Sequence, residues 1–146
     1  MLCESMEDTA LKNHAIVCGY GLVGERIIDT LVQYGIPCVV IEIDPKRAEQ
    51  LRSRGITAIE GDATASKTLK EAGIATAKVI AVAMDNDAKN LLCVITAKSL
   101  NPRVVIATRA NDEFIKEKLS DAGADYIATP AKSATNELFK ELAKGL

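Results

Sequence analysis

Six times along this chain a short apolar run gives way, after a few residues, to a stretch with the pattern of a helix. Strict strand–helix alternation with short connections points to a parallel sheet covered by helices on both faces. The predicted strands are His14–Cys18, Cys38–Ile43, Ile56–Glu60, Lys78–Met84, Arg103–Thr108 and Asp125–Ala128. The first helix is expected over Leu22–Tyr34, where Val23, Ile27, Ile28, Leu31 and Val32 fall on one face, with Gly35 and Pro37 ending it. Asp44 and Pro45 read as the N-cap and first residue of a second helix, which runs to about Arg54. Thr64 or Ser66 is expected to cap a third helix ending at Gly73, and Asp85, Asn86 and Asp87 to open a fourth over Ala88–Leu100. Asn111 is expected to cap a fifth, with Asp112 and Glu113 complementing its dipole, and Thr129-Pro130 opens a last helix that runs almost to Gly145. Right-handed crossovers then leave a doubly wound α/β sheet of six parallel strands in the order 3-2-1-4-5-6 as the best fit.

Residues 13–146 form the single expected domain. Residues 1–12, with Glu4, Glu7 and Asp8 and no apolar core, read as a loose leader or as the cut end of something longer. The net charge of −2 gives no electrostatic footprint for nucleic acid. No run approaches the roughly 20 apolar residues that span a bilayer. Cys3, Cys18, Cys38 and Cys93 include no Cys-x-x-Cys pair, and His14 is the lone histidine, so no metal site is expected. The cysteines read as small buried hydrophobes in a reducing compartment.

The first strand runs into Gly19-Tyr20-Gly21-Leu22-Val23-Gly24, a Gly-x-Gly-x-x-Gly turn that opens the first helix. In such a Rossmann-like turn, Gly19 permits the bend, Gly21 lets a phosphate approach the backbone, and Gly24 lets helix and strand pack closely. The phosphate sits on free N–H groups at the positive end of the helix. Ligands of doubly wound sheets bind at the carboxyl edge, so each strand end is a candidate position in one crevice. Glu42, with Ile43 beside it, closes the second strand about 20 residues after the glycine turn, where a carboxylate accepts from ribose hydroxyls. Gly61, Asp62 and Ala63 follow the third strand; Asp62 serves either an adenine edge or the next helix as a cap. Met84 and Asp85 end the fourth strand, and helix capping explains the acid there equally well. Arg109 ends the fifth, where it serves either a phosphate or a surface ion pair. His14 lies at the opposite edge and reads as structural.

No acid–base group accompanies this crevice: the only histidine is on the wrong side, and no Tyr-x-x-x-Lys pair occurs. The pattern favours a sensor over an enzyme. Two alternatives stay open: a small NAD-dependent oxidoreductase whose substrate pocket comes from a partner, and a redox-sensing module.

The chain resembles the nucleotide-binding RCK, KTN or TrkA-N domains of potassium channel and transporter regulators. The resemblance rests on the glycine turn, Val39–Pro45, Gly61-Asp62-Ala63-Thr64, Leu69–Ile74, Asp87-Ala88-Lys89-Asn90-Leu91 and Ala107-Thr108-Arg109-Ala110-Asn111. It implies a regulatory domain on the cytoplasmic side of a potassium channel or transporter subunit, assembled as dimers or rings. It implies an adenine nucleotide as ligand: NAD(H), AMP, ADP or ATP. Gly19, Gly21 and Gly24 would contact phosphates, Glu42 the ribose, Asp62 and its turn the adenine, and Arg109 a phosphate. Met84 departs from the threonine frequent at the end of strand four. Thr108, Arg109 and Ala110 replace the acids that bind calcium in some relatives.

Overall fold

The computed structural model describes residues 12–146, so the leader apart from Lys12, and Cys3 with it, lie outside the described residues. Strands β1 (Ala15–Cys18), β2 (Cys38–Glu42), β3 (Thr57–Glu60), β4 (Val79–Val82), β5 (Val105–Arg109) and β6 (Tyr126–Ala128) alternate with helices α1 (Leu22–Gln33), α2 (Pro45–Ser53), α3 (Ser66–Glu71), α4 (Asp87–Leu100), α5 (Ile115–Asp121) and α6 (Pro130–Ala143). A short 3₁₀ turn, Ile74–Thr76, precedes β4. All neighbouring strands are parallel and the order is β3-β2-β1-β4-β5-β6, as expected. Cys18 stands opposite both Ile41 and Val82, which brings the carboxyl ends of the three central strands level.

Successive side chains of a strand point to opposite faces, and the core divides accordingly. Ile16, Val39, Ile80 and Ile106 pack on one face beneath α3, α4 and α5, represented by Leu69, Val94 and Leu119. Val17 and Val40 pack on the other face against Ile28 of α1 and Leu51 of α2. With no Trp, three Tyr and two Phe, this is an aliphatic core.

Several boundaries differ from the expectation because side chains intercept backbone groups. β2 stops at Glu42, not Ile43, where the Glu42 carboxylate takes the Asp44 N–H at 2.7 Å. β4 stops at Val82, not Met84; Asn90 holds both the Met84 N–H (3.1 Å) and the Met84 carbonyl (2.9 Å). Asp44 caps α2 as expected, accepting from the Lys46 N–H. Neither Thr64 nor Ser66 caps α3: its N-cap is Ala65, and Asp62 instead closes a turn onto Thr64. Nor does Asn111 cap α5, which starts later, behind Phe114; Asp112 accepts from the Phe114 N–H. Asn86 caps α4, and Asp87 turns its carboxylate to the backbone N–H groups of Asn111 and Asp112 (2.8 and 3.0 Å). His14 is buried and its Nε2 donates to the Ala72 carbonyl at 2.8 Å, tying the start of β1 to the end of α3.

Candidate functional site: a crevice at the carboxyl edge of the sheet

Two glycines shape the turn that floors the site. Gly19 has φ +98°, and a Cβ there would meet the Ala83 carbonyl oxygen at 3.1 Å. A Cβ on Gly24 would lie 2.0 Å from the Gly19 carbonyl oxygen, so only hydrogen lets α1 start so close to β1. Gly21 differs from both: nothing lies within 4 Å of the Cβ it lacks. The first α-helical bond runs from the Glu25 N–H to the Gly21 carbonyl, so the N–H groups of Leu22, Val23 and Gly24 precede the ladder at the positive end of α1.

This turn opens on a crevice of about 460 Å³. Of the expected residues, Gly19, Tyr20, Gly21, Leu22, Glu42, Ile43, Gly61, Asp62, Ala63, Met84, Asp85 and Arg109 line it together. Val23 does not: it faces a groove on the outer side of α1 with Arg26, Ile27 and Leu31. Gly24 does not line it either, because it is buried against β1. Tyr20 contributes its backbone, while its hydroxyl turns away to accept from Arg54 (2.9 Å), which also pairs with Asp29 at 2.7 Å.

Glu42 is nearly buried, and its two oxygens accept from the Tyr20 N–H (2.8 Å) and the Asp44 N–H (2.7 Å). It therefore staples the glycine turn to the end of β2. Each oxygen keeps a second lone pair, since a carboxylate has about four acceptor sites. Asp62 accepts from the Thr64 N–H (2.9 Å) and the Thr64 hydroxyl (2.7 Å) through one oxygen. These two bonds, with the Lys89 ammonium beyond them, hold its carboxyl below the ordinary range.

On the β5 side, Arg109 donates through Nη2 to Asn111 Oδ1 at 2.7 Å, and Asn111 donates in turn to the Asp85 carbonyl at 2.8 Å. The Arg109 Nε is buried and has no partner. A buried donor left unpaired is unfavourable by about 1–3 kcal/mol.

Four further residues build the site, none of them expected there as a site residue. Asn90 is fully buried and clamps the ends of β4 and β5, donating to both the Met84 and Arg109 carbonyls. Asp87 pins the loop that carries Asn111. Arg47 and Lys89 line the crevice as cations. The available signal was the Asp87-x-x-Asn90 spacing, which puts both side chains on the first turn of α4, at the edge of the crevice.

A parallel sheet in this order, with a crevice over a Gly-x-Gly-x-x-Gly turn and an acid at the end of β2, defines the Rossmann-type nucleotide-binding class of α/β domains. Within that class, the chain belongs to the TrkA-N domain family, whose model matches residues 15–130. It is 37% identical over 122 residues to potassium channel protein 1 of Methanocaldococcus jannaschii, covering 82% of this chain and 37% of that protein. The chain thus spans little more than a third of that relative. The crystal structure of the TrkA-N domain of inner membrane protein YbaL from Escherichia coli superposes with a TM-score of 0.88 at 28% identity, covering 91% of this chain and 98% of that one. Two more distant structures share the fold. The GsuK channel bound to NAD has a TM-score of 0.75 at 22% identity, over 82% of this chain and 22% of that one. The Shewanella denitrificans Kef CTD in AMP-bound form has a TM-score of 0.76 at 24% identity, over 90% and 80%. Among the described residues, no helix is long and apolar enough to cross a membrane, and no cluster of His, Cys, Asp or Glu is placed to hold a metal ion.

Proposed function

We propose that this chain is a nucleotide-sensing regulatory domain of a potassium-transport system, working at the cytoplasmic face of a channel or transporter subunit as a homodimer or ring. The observation that carries the reading is the cation Arg109 in the lining of a crevice whose other wall is an open glycine turn. That pairing of donors suits a phosphate on the turn. The free lone pairs of Glu42 suit ribose hydroxyls, and its charge repels a 2′-phosphate. Ile43, exposed at the rim, and the Gly61–Ala63 turn offer an apolar and a polar edge for adenine. Structures of the same fold hold NAD in GsuK and AMP in the Kef domain, which supports an adenine nucleotide as the ligand class here. The potassium channel relative supports the transport setting.

The site binds and orients; it is not read as catalytic. Among the described residues its lining holds no His, Cys or Ser, and its one phenol is engaged by Arg54. Regulation then requires that the nucleotide bind one assembly state more tightly than another, since equal affinity shifts nothing. A thermal-shift panel of AMP, ADP, ATP, NAD⁺, NADH and NADPH tests the reading. Adenine nucleotides with a free 2′-hydroxyl raise the melting temperature by mass action, and NADPH does not. A flat panel overturns the proposal, and turnover of NADH with small carbonyl compounds moves the protein to the oxidoreductase class.

A further inference from the structure

Resting on that nucleotide reading, we infer that Met84 sets how far along the crevice a ligand can extend. It walls the end of β4 with an apolar surface that has no free donor, so a ligand that ends at the glycine turn is favoured over one that continues with a second riboside. The strand order reverses between β1 and β4, and a dinucleotide lies across that seam with one nucleoside on either side. The two sides differ in chemistry. The β2–β3 side presents the carboxylates of Glu42 and Asp62 to an adenosine. The end of β4 presents Ala83 and Met84.

The backbone of that wall is already spoken for. The Ala83 N–H donates to the Cys18 carbonyl at 2.9 Å. The Met84 N–H donates to Asn90 Oδ1 at 3.1 Å, and its carbonyl accepts from Asn90 Nδ2 at 2.9 Å. The Ala83 carbonyl oxygen is turned to Gly19, 3.1 Å from the place a Cβ would take there. What remains is a methyl group and a thioether, a weak acceptor and no donor. The Met84 side chain leans across the seam: its Cγ lies 3.2 Å from that same Cβ position on the first glycine of the turn. It is half-buried and packs on the core cluster that holds Cys93 and Val94 of α4, while fully buried Asn90 fixes the backbone that carries it. The polar groups of this side flank the wall without belonging to it. Asp85 is exposed at the mouth, and Arg109 stands on the next strand with Nη2 given to Asn111. A second riboside seated on Met84 therefore turns hydroxyls onto methyl and methylene groups and leaves them unpaired, whereas a mononucleotide puts nothing polar there. The wall discriminates by the riboside and not by the charge of the ring it carries.

Titration calorimetry on the full chain and on Met84→Ser, Met84→Ala and Met84→Leu, with AMP, NAD⁺ and NADH, tests this. The wild type should bind AMP at least about tenfold more tightly than either dinucleotide, as one unpaired hydroxyl implies. Met84→Ser opens the wall and supplies a hydroxyl, and should narrow that gap at least fivefold. Met84→Ala should narrow it by less, and it decides the matter if the serine variant does not fold. Met84→Leu keeps bulk and apolar character, and should hold the gap within twofold of wild type. Each reading is a ratio within one protein, so a general loss of affinity does not imitate it. Wild-type protein that takes NAD⁺ or NADH as tightly as AMP overturns the inference and leaves the nucleotide reading standing. So does a gap that serine and alanine leave unchanged, or one that leucine narrows as much as serine. Failure of all three compounds to bind the wild type removes both.

Discussion

Glu42 has two tasks that pull on one carboxylate. Its acceptor bonds from Tyr20 and Asp44 hold the glycine turn against β2, and its remaining lone pairs face the crevice. Glu42→Ala leaves two backbone N–H groups beside a nearly buried void, so the variant should lose about 1–3 kcal/mol of stability as well as nucleotide affinity. Urea unfolding reads the first loss and calorimetry the second; an unchanged midpoint denies the staple, and an unchanged affinity for AMP denies the ribose contact. The glycines separate fold from binding more cleanly. Gly24→Ala drives a methyl to 2.0 Å from the Gly19 carbonyl oxygen, and such overpacking is unfavourable by about 1–3 kcal/mol or more. Gly21→Ala meets nothing within 4 Å, so it should unfold at the wild-type temperature yet bind nucleotide poorly, because the new methyl stands where the phosphate would approach. A Gly21→Ala protein with wild-type nucleotide affinity would place the phosphate elsewhere.

At the scale of elements, β1 and α4 meet through sulfur. The Cys18 and Cys93 thiols share a hydrogen bond at 3.7 Å, both side chains being buried, and holding the Cys18 proton in that bond together with desolvation pushes the Cys18 thiol well above its ordinary value of 9.0. A thiol that ionises later in the folded state contributes stability that is complete below about pH 9 and is lost as pH rises through the folded value. The urea midpoint should therefore fall above pH 9, and fall less steeply in Cys18→Ala; identical slopes in the two proteins would assign the alkaline loss to other groups. The elements themselves were legible because all the apolar runs but Lys78–Met84 are bounded by a glycine or proline that local chemistry explains, as with Gly35-x-Pro37 or Asp44-Pro45. What local chemistry could not reveal is side chains bonding across the sheet edge. Asn111 reads as a cap, but it is claimed by Arg109 and Asp85. Met84 reads as a strand residue, but its backbone belongs to Asn90. Likewise, the glycine turn, Glu42 and Arg109 could be placed in one crevice from strand order alone. The Tyr20 hydroxyl is turned outward by its bond from Arg54, and Val23 faces the outer groove of α1, neither of which a spacing encodes.

For the whole molecule, stability and exposed apolar surface are separated along the chain. The core lies between the sheet and helices α1 to α5, and Leu119 of α5 is completely buried in it. Beyond Pro130 every residue is exposed: α6 buries none of its side chains and presents Leu138, Phe139 and Leu142 to solvent. Among the described residues one ion pair, Lys132 with Glu113 at 3.5 Å, links it to the body, and an exposed pair of that kind contributes about 0–1 kcal/mol. Burial, not helix length, decides what a side chain adds to stability. Replacing Leu138, Phe139 and Leu142 together by serine should therefore leave the unfolding free energy within about 0.5 kcal/mol of wild type at low protein concentration, as surface changes do. Leu119→Ala alone should lower it by about 2–5 kcal/mol, through lost burial and the cavity it leaves. Urea denaturation of dilute protein measures both. If the triple change proved as damaging as Leu119→Ala, then α6 would have to pack on an apolar surface in the dilute chain, and the separation between a self-sufficient sheet core and an uncovered last helix would fail.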